Sequence, residues 1–560
     1  MANRIVIKAL SGFAILAVLI FVVGCIFMTN KQGKSPRPNM LLIIGDDIGI
    51  DVTTNMYPGL IDSLKKQYGP SGHNHPNYQL IDGRPASTPN LDTLAQSGIR
   101  FTHAWTQPFC SPTRASLLTG LYAAKTRVLD YTNYLTQNHH SFVRDLKEKG
   151  GYSTAVFGKW HIAGLGVYPG MKPKEAGFDL FLGNLHGGLA TYFEYDYHIQ
   201  DDTDPPDQYR TEKAPVRSLP GIAPTTFAPV VKTADAINWI TEQEKNNPDK
   251  PWFVWFAFNL CHITGQQEPN PMVIPNADTM DEVSRKEMEA CVGPDGKFGS
   301  ANVGSCSSEA LMRAMTNAMD TMIGKLLEMV DKLDPNTYVI YLGDNGTWMF
   351  GPKREFIDNL YITRQGRSKG TAYESGVRVS MAIRGPGIKP GSQSDEWIHN
   401  VDLFSTILEL AGLDVPKMVP NREGNGMVAV DSVSLTPILF KGAKGLRDPN
   451  TGYLLSETIN PVKQNIMEVG ARNATYKVIC DNNAKTESCV FYNLVDDPLE
   501  EYPLEKPDSC TKYEDGTWTP DDPEWHFCRL QEVIAKQSFL ANPPKSNNNQ
   551  YMGPPPKRKE

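Results

Sequence analysis

Four short apolar runs, each ending on a cluster of polar residues, constrain the fold of this chain more than any other feature. Met40-Leu41-Leu42-Ile43-Ile44 runs into Gly45-Asp46-Asp47, and Thr154-Ala155-Val156-Phe157 into Gly158-Lys159-Trp160-His161. Trp252 to Phe258 runs into Asn259-Leu260-Cys261-His262, and Tyr338-Val339-Ile340-Tyr341-Leu342 into Gly343-Asp344-Asn345. Near-continuous apolar runs, as opposed to alternating ones, belong to strands covered by helices on both faces. Helical spacing lies between them: Ala310 to Leu333 carries Leu311, Met315, Met319, Met322, Leu326 and Val330 as one stripe for core packing. The expected fold is α/β, with a large, mostly parallel central sheet flanked by helices. In such sheets ligands bind beyond the carboxyl ends of the strands, so the polar clusters converge on one edge.

Asp46, Asp47, Asp344 and Asn345 offer oxygen donors from two of these strand ends. Hard oxygens select Ca²⁺ or Mg²⁺, and no matching set of His and Cys points to zinc. An isolated Asp-Asp pair is usually a turn or a cap; matched by Asp-Asn at a second buried strand end, it is more specific. Cys110 opens the segment Cys110-Ser111-Pro112-Thr113-Arg114-Ala115-Ser116-Leu117-Leu118-Thr119-Gly120. Pro112 suits a first helical turn, Ser111 can cap, and Gly120 can end a helix over Ala115 to Thr119. The free N–H groups of a helix start favour an anion beside Cys110, and Arg114 adds a forked cation one turn further in. Taken alone, Cys110 reads as a buried or disulfide-bonded cysteine.

The pattern Cys-x-Pro-x-Arg followed by Ala-Ser-Leu-Leu-Thr-Gly resembles the signature of the formylglycine-dependent (type I) sulfatases, arylsulfatase-like enzymes of the alkaline-phosphatase superfamily. Gly151-Tyr152-Ser153-Thr154-Ala155-Val156-Phe157-Gly158-Lys159-Trp160-His161 is similar to the family's second signature. Thr88-Pro89-Asn90-Leu91-Asp92, Gly98-Ile99-Arg100-Phe101-Thr102, Gly343-Asp344-Asn345-Gly346 and the stretch Lys369 to Arg378 match as well, in family order from about Asn39 to Gly412. Phe109 and Phe157 are bulkier than the family usually has.

The resemblance implies an alkaline-phosphatase-like sheet and a smaller C-terminal antiparallel α+β domain. It implies that a maturation enzyme oxidises Cys110 to formylglycine (3-oxoalanine). One hydroxyl of the hydrated aldehyde would attack sulfur, giving a covalent sulfate ester and releasing the alcohol; the other would expel sulfate by C–O cleavage. Ca²⁺, with Mg²⁺ as the alternative ion, would bridge Asp46, Asp47, Asp344, Asn345 and the modified Cys110. Arg114 and the metal would stabilise the oxyanion, Lys159 would contact both it and the sulfate, and Lys369 would contact sulfate oxygens. His161 is the expected base and His262 the expected acid for the leaving oxygen; Lys353 and Arg354 have a surface or rim role. The substrate is an aryl sulfate or a sulfated polysaccharide. Two other readings stay open: a phosphoesterase or phosphonate monoesterase of the same superfamily, and a non-catalytic lipoprotein that binds sulfated glycans.

A net charge of −8 over 560 residues argues against a nucleic-acid partner and requires positive charge to be concentrated in the site. Apolar content of 40% with 21% charged residues is ordinary for a globular chain. Arg4 and Lys8 precede an apolar stretch from Ala9 to Val23, then Gly24-Cys25. This reads as a lipoprotein signal peptide over 1–24 with lipid on Cys25 and a tether over 25–38; an uncleaved anchor helix from Ala9 to Met28 is the rival. Both readings place the protein outside the cytoplasm, in the periplasm or at the cell surface, and held at a membrane. Of 9 cysteines, Cys291 with Cys306, Cys480 with Cys489 and Cys510 with Cys528 suit local disulfides in an oxidising compartment, while Cys261 is a buried thiol.

The expected divisions are a catalytic domain over 39–440, a small domain over 441–541 and a disordered tail over 542–560. In the small domain, Gly452 to Glu457, Tyr476 to Cys480 and Val490 to Leu494 read as strands and Trp525 to Leu540 as a helix. Asn184 to Pro229 and Glu268 to Ser308 read as insertions, either shaping a substrate pocket or forming solvated loops. His399 and Asp402 suit a capping or structural role, and His73 and His75 a surface turn. Lipid attachment is tested by Cys25→Ser: it is expected to abolish lipid labelling and signal cleavage, and an intact N-terminus on mature wild-type protein would favour the anchor helix.

Overall fold

The computed structural model describes residues 37–81, 84–265, 271–294, 296–348, 360–362, 367–460 and 466–541. The signal segment with Cys25, the tether up to residue 36, Lys353, Arg354 and the tail from 542 lie outside the described residues. Among the described residues, no helix is long and apolar enough to cross a membrane.

Ten strands form the central sheet: β1 Met40–Gly45, β2 Ile99–Trp105, β3 Ser153–Lys159, β4 Leu180–Asn184, β5 Asp196–Gln200, β6 Arg210–Lys213, β7 Trp252–Ala257, β8 Tyr338–Gly343, β9 Arg378–Arg384 and β10 Ser392–His399. Their spatial order is β10-β2-β9-β8-β1-β7-β3-β4-β5-β6. The central block β8-β1-β7-β3-β4 is wholly parallel. Antiparallel pairing begins at β9 on one side and at β5 on the other.

The continuous apolar runs are explained by burial on both faces. Leu41 and Ile43 of β1 enter one core, and Met40, Leu42 and Ile44 enter the other. Trp252, Val254 and Phe256 of β7 divide from Phe253, Trp255 and Ala257 in the same way. Each such side chain contributes on the order of 1.5–3 kcal/mol when fully buried. Helices α1 (Cys110–Thr119), α2 (Phe142–Glu148) and α5 (Asp402–Leu410) cover the second core; α3 (Ala228–Asn246) and α4 (Ser308–Leu333) cover the first. The Leu/Met stripe of α4 is buried throughout, as its spacing requires.

The stretch 184–229 is more structured than a solvated insertion. It supplies β5 and β6, and β6 ends the sheet as a fully exposed edge carrying Arg210, Glu212 and Lys213, charges that discourage further strand pairing. Tyr192, Tyr195 and Tyr197 point into the first core. The stretch 268–308 contains the helix Glu282–Val292, tied by Cys291–Cys306. Cys480–Cys489 and Cys510–Cys528 are also joined, and Cys261 is a buried free thiol.

The C-terminal sheet is a four-stranded antiparallel meander: β11 Leu454–Asn460, β12 Ile466–Arg472, β13 Tyr476–Asp481 and β14 Cys489–Asn493. Helix α6 (Pro523–Gln537) packs on it through Phe527, Leu530, Val533 and Ile534. Strand β12 has no clear sequence signature because Glu468 and Arg472 interrupt its apolar pattern, yet both are buried. Glu468 accepts the backbone N–H of Ala372 at 2.6 Å. Lys477 of β13 meets Glu374 at 3.1 Å and Glu500 at 2.7 Å, and so bolts this sheet to the large one.

Two local readings are refined. Helix α1 starts at Cys110, its N-cap is Phe109 without a side-chain cap, and the buried hydroxyl of Ser111 has no hydrogen-bond partner, so Ser111 is not the cap. Gly120 ends the helix as expected, in the left-handed region at φ 71°. Asp402 accepts the backbone N–H of His399 at 2.9 Å and pairs with Arg447, a structural assignment for both. His73 stacks on Tyr502 near the surface.

Candidate active site

The parallel strands deliver the polar clusters to a common edge. Asp46 and Asp47 follow β1, and the backbone N–H of Asp344, following β8, donates to the carbonyl of Gly45 at 2.9 Å. Asp47 has φ 60° and its N–H donates to Asp344 Oδ1 at 3.1 Å, so the turn aims both carboxylates inward. Lys159 ends β3, where Gly158 is obligatory: a Cβ there would lie 1.9 Å from the carbonyl oxygen of Ala257. His161 follows at φ 57°, with its N–H on the carbonyl of Leu185 at 3.2 Å. Such left-handed non-glycine residues cost of order 1 kcal/mol or more and persist only where surroundings impose them.

Six charged side chains interlock here, each nearly or fully buried. Lys159 Nζ donates to both oxygens of Asp46, at 2.7 and 2.6 Å. Arg114 donates from Nε and Nη2 to Asp344 Oδ2, at 3.2 and 2.8 Å, and from Nη1 to the carbonyl of Lys159 at 2.7 Å. Lys369 Nζ donates to Asp47 Oδ1. Burial, with Asp344 and Asp47 close by, pushes the Asp46 carboxyl well above its ordinary range despite Lys159. Burial acts on Asp47 in the same direction, but Lys369, His262 and Lys159 outweigh it and hold its pKa at about 2.

Cys110 lies against this cluster, its Sγ 3.1 Å from Nδ1 of His161. Burial pushes the thiol up, in spite of Lys159 and Lys369. A neutral buried thiol is a weak nucleophile, because the thiolate is the reactive form. His161 is held well below its usual pKa by burial and then by Lys159 and Arg114. His262 falls to about 3, by burial and then by Lys369 and Lys159. Its Nδ1 lies 2.6 Å from the carbonyl of Ile263, which only accepts, so Nδ1 carries the proton and Nε2 is the nitrogen left for chemistry.

The donor set fits a hard divalent cation. Oxygens of Asp46 and Asp344 and the sulfur of Cys110 lie within 4.8 Å of one another. Asn345 donates from Nδ2 to Asp47 Oδ1 and to the carbonyl of Gly346, both at 2.9 Å. Its own Oδ1 is buried without a hydrogen-bond partner. An unsatisfied buried acceptor costs about 1–3 kcal/mol, a penalty that cation coordination would remove.

All of Asp46, Asp47, Cys110, Arg114, Lys159, His161, His262, Asp344, Asn345 and Lys369 thus sit at one edge. The pairings of Arg114 put its donors on Asp344 and on the backbone, so it reaches the cluster through Asp344. Sequence reasoning passed over Lys232, although a lone lysine among Val230, Val231 and Ala234 was a signal. It also passed over Gly187, where a Cβ would meet the His161 ring at 2.3 Å.

A covered, largely parallel sheet with carboxylates, cations and two histidines at its carboxyl edge defines an α/β enzyme built for a small anionic group. The family model described as "Sulfatase" matches residues 38–413. The chain is similar to arylsulfatase G of Rattus norvegicus, 26% identical over 527 residues, covering 86% of this chain and 85% of that protein. It is similar to human N-acetylgalactosamine-6-sulfatase, 26% identical over 457 residues, covering 77% and 70%. Among solved structures, BT4656 in complex with its substrate D-glucosamine-2-N,6-O-disulfate shares the fold, with a TM-score of 0.59, 20% identity and coverage of 91% and 100%. The chain belongs to the sulfatase family and is a sulfuric ester hydrolase.

Gly187→Ala tests how tightly the loop at 187 holds His161. It is expected to lower kcat for a sulfate ester by about 10²-fold through displacement of the ring, with the thermal midpoint little changed. Steady-state kinetics beside a melting curve checks it, and wild-type kcat would mean the ring has room to spare.

Proposed function

We propose that this protein is an exported, membrane-held sulfatase for carbohydrate sulfates, acting through formylglycine formed from Cys110 and a bound Ca²⁺. The observation that carries the reading is Cys110 at a helix start, within 4.8 Å of Asp46 and Asp344, inside a cluster that buries three cations. Formylglycine supplies a hydrated aldehyde whose hydroxyl is the nucleophile. Asp46, Asp47, Asp344 and Asn345, with residue 110, would hold the cation, which supplies Lewis acidity.

The remaining work belongs to the chain's own side chains. Lys159 and Lys369 bind the sulfate oxygens and offset their charge in a site shielded from water. Arg114 orients Asp344 and the Lys159 backbone. His161 Nδ1, facing residue 110, takes a proton there. A sulfate between Lys159 and Lys369 would offset the two charges that, together with burial, hold His262 neutral, so that Nε2 takes up a proton and then gives it to the departing oxygen.

Beside His262 lies a cavity of about 400 Å³, lined also by Asn184, His186, Tyr195, Asp196 and Thr264. Hydroxyl-bonding groups and the absence of lysine or arginine among its described lining residues suit an uncharged sugar as the leaving alcohol. The sulfated sugar named as substrate of the structural relative supports a carbohydrate. The three short-loop disulfides and the Gly24-Cys25 junction support export and lipid anchoring.

The test is protein co-expressed with a formylglycine-forming enzyme. Mass spectrometry of the tryptic peptide ending at Arg114 should show the modification, and a sugar sulfate should turn over in preference to a phosphate ester. His262→Ala should lose about 10²–10⁴-fold on the sugar sulfate and far less on a nitrophenyl sulfate, whose phenolate leaves unaided. Activity with unmodified Cys110, preference for phosphate, or equal loss on both sulfates would each overturn its part of the reading.

Metal binding has its own readout. Ca²⁺ at 100 times its Kd should stabilise the fold by about 2.7 kcal/mol over a chelated sample, seen as a raised thermal midpoint. Asn345→Ala removes a ligand without breaking an ion pair and should abolish most of that shift. A wild type indifferent to Ca²⁺, or a variant with the full shift, would refute the assignment.

A further inference from the structure

Helix α3 carries a charge that the chemistry above leaves unused. Lys232 is 1% exposed, and among the described residues its Nζ hydrogen-bonds two amide oxygens and no carboxylate. Burial brings its pKa down to about 7, so the position is occupied against a solvation penalty. Nζ donates to Oδ1 of Asn184 at 2.8 Å and to Oδ1 of Asn259. Asn184 closes β4, and Asn259 stands just beyond the end of β7.

In its ammonium form Lys232 has donors and no acceptor, and its two contacts to amide oxygens set how both amides face. Their oxygens turn to Lys232 and their NH₂ groups turn away. Asn184 Nδ2 then donates to the carbonyl of His186 at 2.8 Å, and Asn259 Nδ2 reaches towards the carbonyl of Gly187 at 3.5 Å. The loop held in this way stands against both histidines. A Cβ at Gly187 would touch the His161 ring, and one at Gly188 would lie 3.5 Å from the His262 ring. The backbone is shared too: His161 N–H bonds the carbonyl of Leu185 at 3.2 Å, and His262 N–H bonds that of Asn259 at 2.8 Å.

We propose that Lys232, through Asn184 and Asn259, is a positioning residue that sets both histidines at once, by fixing the 185–188 loop between them. The inference rests on the reading of His161 and His262 as base and acid. A single cation in the helix layer then aligns groups from two different strands.

Asn184→Asp is the sharpest test. The carboxylate still accepts from Lys232 and gives it a counter-ion, but turns an acceptor towards the His186 carbonyl where a donor stood. Lys232→Met keeps the bulk and removes the donor. Both variants should melt cooperatively and lose about 10²-fold in kcat for a sugar sulfate; Lys232→Met, which leaves the lining of the sugar cavity intact, should also keep KM within about threefold. Hydrogen–deuterium exchange should quicken in peptides covering 185–190 and stay unchanged in β1 and β7. Should Lys232→Met fail to fold, Asn184→Asp decides alone. Wild-type kcat and wild-type exchange in Asn184→Asp would overturn the proposal, as would a rise in KM with kcat preserved. A wild type that hydrolyses no sulfate ester would instead sink the functional reading, and exchange of the 185–190 peptides would still judge the clamp.

Discussion

Asp46, Asp47 and Asp344 are buried together with Arg114, Lys159 and Lys369, and the rest of the candidate site is arranged around that fact. Removing ions from water costs several kcal/mol apiece even after relaxation, and only close, well-oriented counter-charges offset it. Deleting one partner of a buried pair costs about 3–5 kcal/mol because the other is left stranded. The cluster therefore needs a rigid frame. A parallel sheet packed on both faces provides one, because neighbouring strands end at the same level and their last side chains cannot retreat. Rigidity of this kind also suits catalysis, since dipoles already in place need no reorganisation when charge develops.

Support for the cluster comes from further away than its own strands. Lys369 sits on a segment whose next turns are held by the C-terminal sheet and the chain that follows it, Ala372 N–H by Glu468 of β12 and Glu374 N–H by Glu500 at 2.7 Å. Lys477 lies between Glu374 and Glu500 and pairs with both. Among the described residues the small sheet contributes no group to the cluster, yet it helps to determine where one of the three cations stands. Phe109 has a comparable role nearby: a Cβ at Gly370 would lie 2.8 Å from its ring, so the bulky residue before Cys110 packs against the Lys369 segment. Phe157 faces the opposite way, into the first core beside Trp239, and leaves the site untouched.

Much of this was readable in the amino-acid order. Unbroken apolar runs specified doubly covered strands, and their polar ends specified the edge where chemistry gathers. Asp46, Asp47, Asp344 and Asn345 could be read as oxygen donors standing at two strand ends, where the structure places them. Cysteines separated by 15, 9 and 18 residues paired as their local spacing suggested. These features depend on neighbours in sequence, and periodicity or short loop closure reports them directly.

Other features had no local signal. Arg114 and Asp344 are 230 residues apart, and only the packing of α1 across the sheet brings guanidinium to carboxylate. Strand β12 was hidden because Glu468 and Arg472 look like surface residues until Ala372 and Trp105 are packed against them. Ser111 looked like a cap, but the helix begins one residue earlier. Lys232 was passed over in the sequence, and acquires meaning only when the ends of β4 and β7 place two amides beside it. The sequence by itself determined which apolar runs are buried, that they form strands, and which chemical groups stand at their ends. The tertiary structure alone decided which charge faces which, because those pairings follow from strand order and helix packing across hundreds of residues.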